Sequence, residues 1–184
     1  FVRPIRLPTR NLVALVGWLL LAVRTGAADT TSPATRVETG LRVVNVAAGI
    51  ISAGELALPE SKGPHPAVIQ LGGGFQPLTE ELTRQGVAVL SFDLRGSGKS
   101  EGKHSFWNPE AIAEDASLWL TWLKQRPDID RSRIGLIGHS QCGVAATLVA
   151  AKATNAVSWV VLLASIGVPV LEWHVKQIAD QTES

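Results

Sequence analysis

The sequence predicts an α/β domain, a mostly parallel sheet with helices on both faces. Short apolar runs at 67–71, 87–92, 133–137 and 157–163 are nearly continuous, as in strands covered on both sides. Segments of helical spacing separate them, and strands alternating with helices of this length fold as a parallel sheet joined by crossovers. Glycine and proline fall at the joints: Gly72-Gly73-Gly74, Gly86 and Pro127.

The N-terminus comes first. Arg3, Arg6 and Arg10 lead into an unbroken apolar run at 12–23, and Gly26-Ala27-Ala28 follow. A basic leader, a short apolar stretch and small residues together make an export signal. Twelve apolar residues are too few to span a bilayer, which takes about 20, and Arg24 closes the run. Residues 1–28 are therefore expected to be a signal peptide, 29–40 a polar linker and 41–184 the folded part. The expected location is secreted or periplasmic, with no stable membrane insertion after cleavage.

Residues 41–47 and 50–58 are strand-like with Gly49 between them, an opening antiparallel hairpin. A polar loop rich in Pro and Gly fills 59–66. The strand at 67–71 runs into the three glycines. A short helix at 78–85 ends at Gly86 in the manner of a C-terminal cap, and the strand at 87–92 follows. Ile112, Ala116, Trp119, Leu120 and Leu123 place a helix over 111–126, which Pro127 stops. A strand at 133–137, a helix at 141–152, a strand at 157–163 and the start of a helix at 169–180 complete the series.

With 184 residues, 46% hydrophobic and 18% charged, the chain suits one globular domain with a substantial core. A net charge of +1 gives no electrostatic basis for binding nucleic acid or anionic membranes. A single cysteine rules out an internal disulfide framework and any cysteine-based metal cluster. There is no methionine, so the sequence is expected to be part of a longer one.

The chemistry points to Ser140. In Ile134-Gly135-Leu136-Ile137-Gly138-His139-Ser140-Gln141-Cys142-Gly143 an apolar run breaks into a small-residue turn and enters an Ala-rich helix. A serine on a sharp strand-to-helix turn has its hydroxyl lifted clear of the sheet. The first amide of the following helix then faces the place where an oxyanion would form. Cys142 stands where the G-x-S-x-G pattern has its last glycine, and Gly143 follows at once. Gly98-Lys99-Ser100 mimics the end of a phosphate-binding loop. Asp93 occupies the position of that loop's first glycine, and Glu101 that of the last glycine in a dinucleotide fingerprint, so nucleotide binding is not expected.

Taken in order, the glycine turn at 72–74, the segment Phe92-Asp93-Leu94-Arg95-Gly96-Ser97-Gly98-Lys99-Ser100 and the serine turn resemble the α/β-hydrolase superfamily. The residues at 131–143 and Val160-Val161-Leu162-Leu163-Ala164 are most similar to secreted serine aminopeptidase and dienelactone-hydrolase-like members. The resemblance runs from about Leu41 to the end of the chain. It implies Ser140 as nucleophile and the amides of Gly73 and Gln141 as the oxyanion hole, each donor worth about 3 kcal/mol of barrier. It implies cleavage of a small-molecule or peptide ester, thioester or amide through an acyl-enzyme, with no metal or organic cofactor. Asp93 and Arg95 would brace the loop beside the site. The family usually has His-Gly where this chain has Leu71-Gly72, and the glycines also fit a tight turn needing positive φ.

The superfamily order is serine, then acid, then histidine. His65, His104 and His139 precede Ser140; Glu172, His174 and Asp180 fall on the expected last helix, where a cap often begins. No complete triad is found, and the C-terminal strands and cap are expected to be missing from this sequence. On that reading 157–163 would be an exposed apolar edge, which native proteins avoid, and the 184 residues alone would not turn over substrate. Two alternatives use the same fold: an exported binding protein without catalysis, favoured by Cys142 and Leu71, and an acyltransferase with an alcohol or amine acceptor.

Overall fold

The computed structural model describes residues 35–72, 75–105 and 108–165. The expected signal peptide, Gly73, and the expected helix at 169–180 with Glu172, His174 and Asp180 lie outside them. The described elements are β1 (Thr35–Asn45), β2 (Ile50–Pro59), β3 (His65–Leu71), α1 (Gln76–Arg84), β4 (Ala88–Phe92), α2 (Pro109–Lys124), β5 (Ile129–His139), α3 (Cys142–Lys152) and β6 (Trp159–Leu163). They form a sheet of order β1-β2-β4-β3-β5-β6. β1 and β2 pair antiparallel, as do β2 and β4, while β4-β3, β3-β5 and β5-β6 are parallel.

The two-residue period of the strands sorts the core onto two faces. Ala67, Ile69 and Leu71 of β3, Leu90 and Phe92 of β4, and Ile134 and Leu136 of β5 join Ile112, Trp119, Ala145 and Val149 from α2 and α3. Val68, Val89 and Ile137 turn to the opposite face and meet Leu82 and Leu78 of α1. Helices therefore cover both sides, as expected of buried parallel strands.

β1 starts at Thr35, six residues before the expected Leu41, with Thr35 opposite Pro59. Arg36, which is exposed, and Glu38, which accepts from Arg126 at 2.8 Å, conceal this first half because they interrupt the apolar pattern of β1, an edge strand among the described residues. The register also shifts between Glu38 and Leu41, where Gly40 takes φ +71°. α2 starts two residues early for a different reason. Asn108 caps it, its side chain accepting from the Ala111 amide at 3.0 Å, and Pro109 fills the first turn.

Trp119 is the pivot of the larger core. It is fully buried, lies nearly parallel to Phe92 with centroids 6.4 Å apart, and donates from Nε1 to Ser52 Oγ at 2.8 Å. Gly54 admits its ring: a Cβ there would sit 3.0 Å from Trp119 Cζ2. Trp119→Ala is expected to cost about 3–5 kcal/mol, since it opens a large cavity and orphans the buried Ser52 hydroxyl. A urea midpoint that barely moves would refute this packing role.

At the far side of the sheet β6 is the edge strand among the described residues, with Leu162 48% exposed.

Candidate active site

β5 ends at His139, still paired with Leu163 of β6, while Gly138 pairs with both Leu71 of β3 and Leu162 of β6. The chain then turns through Ser140 in a single residue. Ser140 has φ +54°, a left-handed conformation that a non-glycine residue adopts at a cost of about 1–3 kcal/mol. Its amide donates to Leu163 O at 2.9 Å and its carbonyl accepts from Gly143 N at 3.1 Å, so both neighbours hold the turn. Gln141 follows with φ −65° and ψ −24° and caps α3, its carbonyl accepting from Val144 and Ala145.

Ser140 is half-buried, and its Oγ has no hydrogen-bond partner among the described residues. The amides of Gln141 and Cys142 likewise donate to none of the described residues, as the first turn of any helix requires. A hydroxyl without a hydrogen-bond partner among the described residues thus stands at the positive end of an eleven-residue helix, beside N–H groups likewise unpaired among those residues.

Glycines allow the turn to be this tight. A Cβ at Gly138 would fall 2.5 Å from Cys142 O, 2.6 Å from Gly143 Cα and 2.7 Å from Gly143 N, so strand and helix touch backbone to backbone. A Cβ at Gly143 would overlap the Ser165 side chain. The close approach of strand and helix therefore rests on Gly138 and, one residue beyond the G-x-S-x-G position, on Gly143. The Cys142 side chain points instead at Gly72, where a Cβ would lie 2.8 Å from Sγ. Gly72 has φ +92°, a conformation that glycine adopts without the penalty a Cβ would bring.

Cys142 is 1% exposed, and burial pushes its thiol up to about 11. At pH 8 almost none of it is thiolate. An aromatic disulfide reagent is expected to leave it untouched in the folded protein and to titrate one thiol after unfolding. Rapid reaction in native buffer would contradict its placement.

The loop after β4 is a brace. Asp93 Oδ2 accepts from the Lys99 amide at 2.8 Å, and its carboxylate fills the space where a side chain at Gly98 would stand. Ser100 Oγ donates to Asp93 O at 2.7 Å and accepts from Ala53 N at 2.9 Å, so the hydroxyl that a phosphate-binding loop would offer to a metal is already committed. Arg95 grips Asp115 with Nε at 2.8 Å and Nη2 at 3.1 Å, and reaches Glu114 with Nη2 at 2.8 Å. Asn45 adds a bond to Asp115 Oδ1 at 3.2 Å. Asp93 and Arg95 thus do the bracing expected of them. Asp115 and Asn45, which complete the tie, carry no local sequence signal.

Three histidines lie among the described residues, each in a different element or loop. His65 opens β3, at the end opposite Gly72. His104 lies in the loop after β4, against Gly96. His139 packs edge-on to Phe75, with ring centroids 5.3 Å apart. Gly73, the other expected oxyanion donor, lies outside the described residues. Among the described residues no group of three or more His, Cys, Asp or Glu side chains is placed to hold a metal ion.

A mixed sheet of this order, with helices on both faces and a strained serine between strand and helix, defines the α/β-hydrolase class. More narrowly, the chain belongs to the Hydrolase_4 family, described as serine aminopeptidase, S33, which matches residues 68–181. It is 35% identical over 107 residues to thiohydrolase aneE of Aspergillus aculeatus, covering 53% of this chain and 33% of that protein. With thiohydrolase apmlB of Arthrinium phaeospermum it shares 33% identity over 129 residues, 66% of this chain and 41% of the relative.

Solved structures share the fold. The complex of DcsB with its substrate analogue aligns with a TM-score of 0.62 at 24% identity, over 82% of this chain and 54% of that one. The dienelactone hydrolase from Anabaena variabilis aligns with a TM-score of 0.58 at 21% identity, over 71% and 64%. The chain spans about a third to two fifths of the length of these two curated relatives.

Proposed function

We propose that the protein is a serine hydrolase that cleaves a carboxylic ester, thioester or amide through an acyl-enzyme on Ser140. One observation carries this reading: a non-glycine residue at φ +54°, bearing a hydroxyl unpaired among the described residues, at the N-terminus of α3. Strain of that kind persists where the surrounding structure enforces it, here to hold a nucleophile clear of the sheet. Membership of a hydrolase family supports the reaction type. The two thiohydrolase relatives make a thioester the first substrate to try.

In the proposed reaction Ser140 Oγ attacks the acyl carbon as a base removes its proton. The amides of Gln141 and Gly73 hold the resulting oxyanion, each lowering the barrier by about 3 kcal/mol. Collapse expels the alcohol, thiol or amine with the proton returned by the base, and water then releases the acid. The base is a histidine oriented by a carboxylate. The reaction needs no cofactor, and its partner is a small-molecule or peptide acyl compound. With an N-terminus read as an export signal, the reaction takes place outside the cytoplasm.

The test is hydrolysis of short-chain thioesters and p-nitrophenyl esters by the protein at its natural length. Saturable turnover that disappears in Ser140→Ala supports the proposal. Intact folding and ligand binding without turnover support the non-catalytic reading that Cys142 favours, and acyl transfer to added alcohols or amines in preference to water supports the acyltransferase.

A further inference from the structure

Resting on that reading for its catalytic part, we propose that Cys142 is a positioning residue, the spacer that holds the first turn of α3 at a fixed distance from the end of β3. The Cys142 side chain lies between the two: its Sγ and Cβ would stand 2.8 and 3.1 Å from a Cβ at Gly72. The residue is 1% exposed and belongs to the main core, the cluster that also holds Leu71, Ala145 and Ala146. Gln141 and Cys142 are adjacent, so whatever fixes Cys142 fixes the amide that would face the oxyanion. A glycine at 142 would leave the gap empty, and the helix end would be free to settle toward β3. A cysteine at 142 in turn requires glycine at 72.

The thiol contributes size and not reactivity. Its burial removes it from solvent, and its raised pKa keeps it protonated. Alanine at 142 would keep Cβ and lose the atom that spans the gap, whereas serine would keep the span. The proposal therefore ranks the variants by shape: serine close to wild type, alanine worse, glycine worst.

The experiment uses the protein at its natural length and two readouts. The first is the rate constant for covalent labelling by a fluorophosphonate, expressed per folded molecule. Cys142→Ala is expected to lower it about tenfold, a displacement of well under 1 Å being enough, with Cys142→Ser within about threefold of wild type. KM for a short ester should change less than the rate. Equal labelling of wild type and Cys142→Ala, per folded molecule, would overturn the positioning role even if Cys142→Ala melts earlier. The second readout is coupling in Tm. Gly72→Ala is expected to lower Tm less in a Cys142→Gly background than in wild type, because the collision has been removed while the φ strain remains. Additive shifts would overturn the spacer. A wild-type protein that is never labelled would remove the catalytic reading and the positioning role together, and the Tm coupling would still decide whether Cys142 separates helix and strand.

Discussion

Ser140→Ala is expected to lower hydrolysis by at least about 10⁴-fold while leaving the urea midpoint almost unchanged. Loss of a nucleophile that acts with a base removes nearly the whole advantage of the group. Alanine inherits the left-handed φ of +54°, so the strain stays and the stability with it. Ser140→Gly separates the two effects. It should be as inactive as the alanine variant yet more stable than wild type by about 1 kcal/mol, since glycine adopts this conformation without penalty. Activity retained in Ser140→Ala would move the chemistry elsewhere. A Ser140→Gly variant less stable than wild type would show that the turn is not strained as described.

Gly138→Ala is expected to be strongly destabilising for a single added methyl, at about 3 kcal/mol or more. The added carbon would meet Cys142 O, Gly143 N and Gly143 Cα at 2.5–2.7 Å, and all three are backbone atoms. No rotamer change relieves such a collision, so α3 must move off β5, beyond the usual cost of overpacking. The shift would carry the Gln141 amide with it, and activity should fall in the molecules that still fold. Gly86→Ala is the control: φ is +83° there but nothing lies within 4 Å of an added Cβ, so only the conformational penalty of about 1 kcal/mol is expected. Equal costs at the two positions would mean that strand and helix are not in backbone contact at Gly138.

Much of this arrangement could be read along the chain because it is local. The apolar strands, the cap at Gly86, the stop at Pro127 and the serine turn each depend on neighbours within a few residues. Boundaries failed where charge or capping overrode apolar pattern: Arg36 and Glu38 on the edge strand, Asn108 and Pro109 before the first apolar residue of α2. Pairings between distant residues were out of reach. Asp115 meets Asn45 across 70 positions and Arg95 across 20, and no spacing rule joins them. Cys142 read as an imperfect motif for the same reason, since its partner Gly72 lies 70 residues upstream and the fit between them exists only in three dimensions.

The most direct test of Ser140 as nucleophile is the site of covalent capture. The natural-length protein, treated with a fluorophosphonate and digested, should yield one modified residue by mass spectrometry, Ser140, with Cys142 unmodified. An adduct on another residue such as Ser165, or no adduct on a protein that hydrolyses esters, would contradict the account.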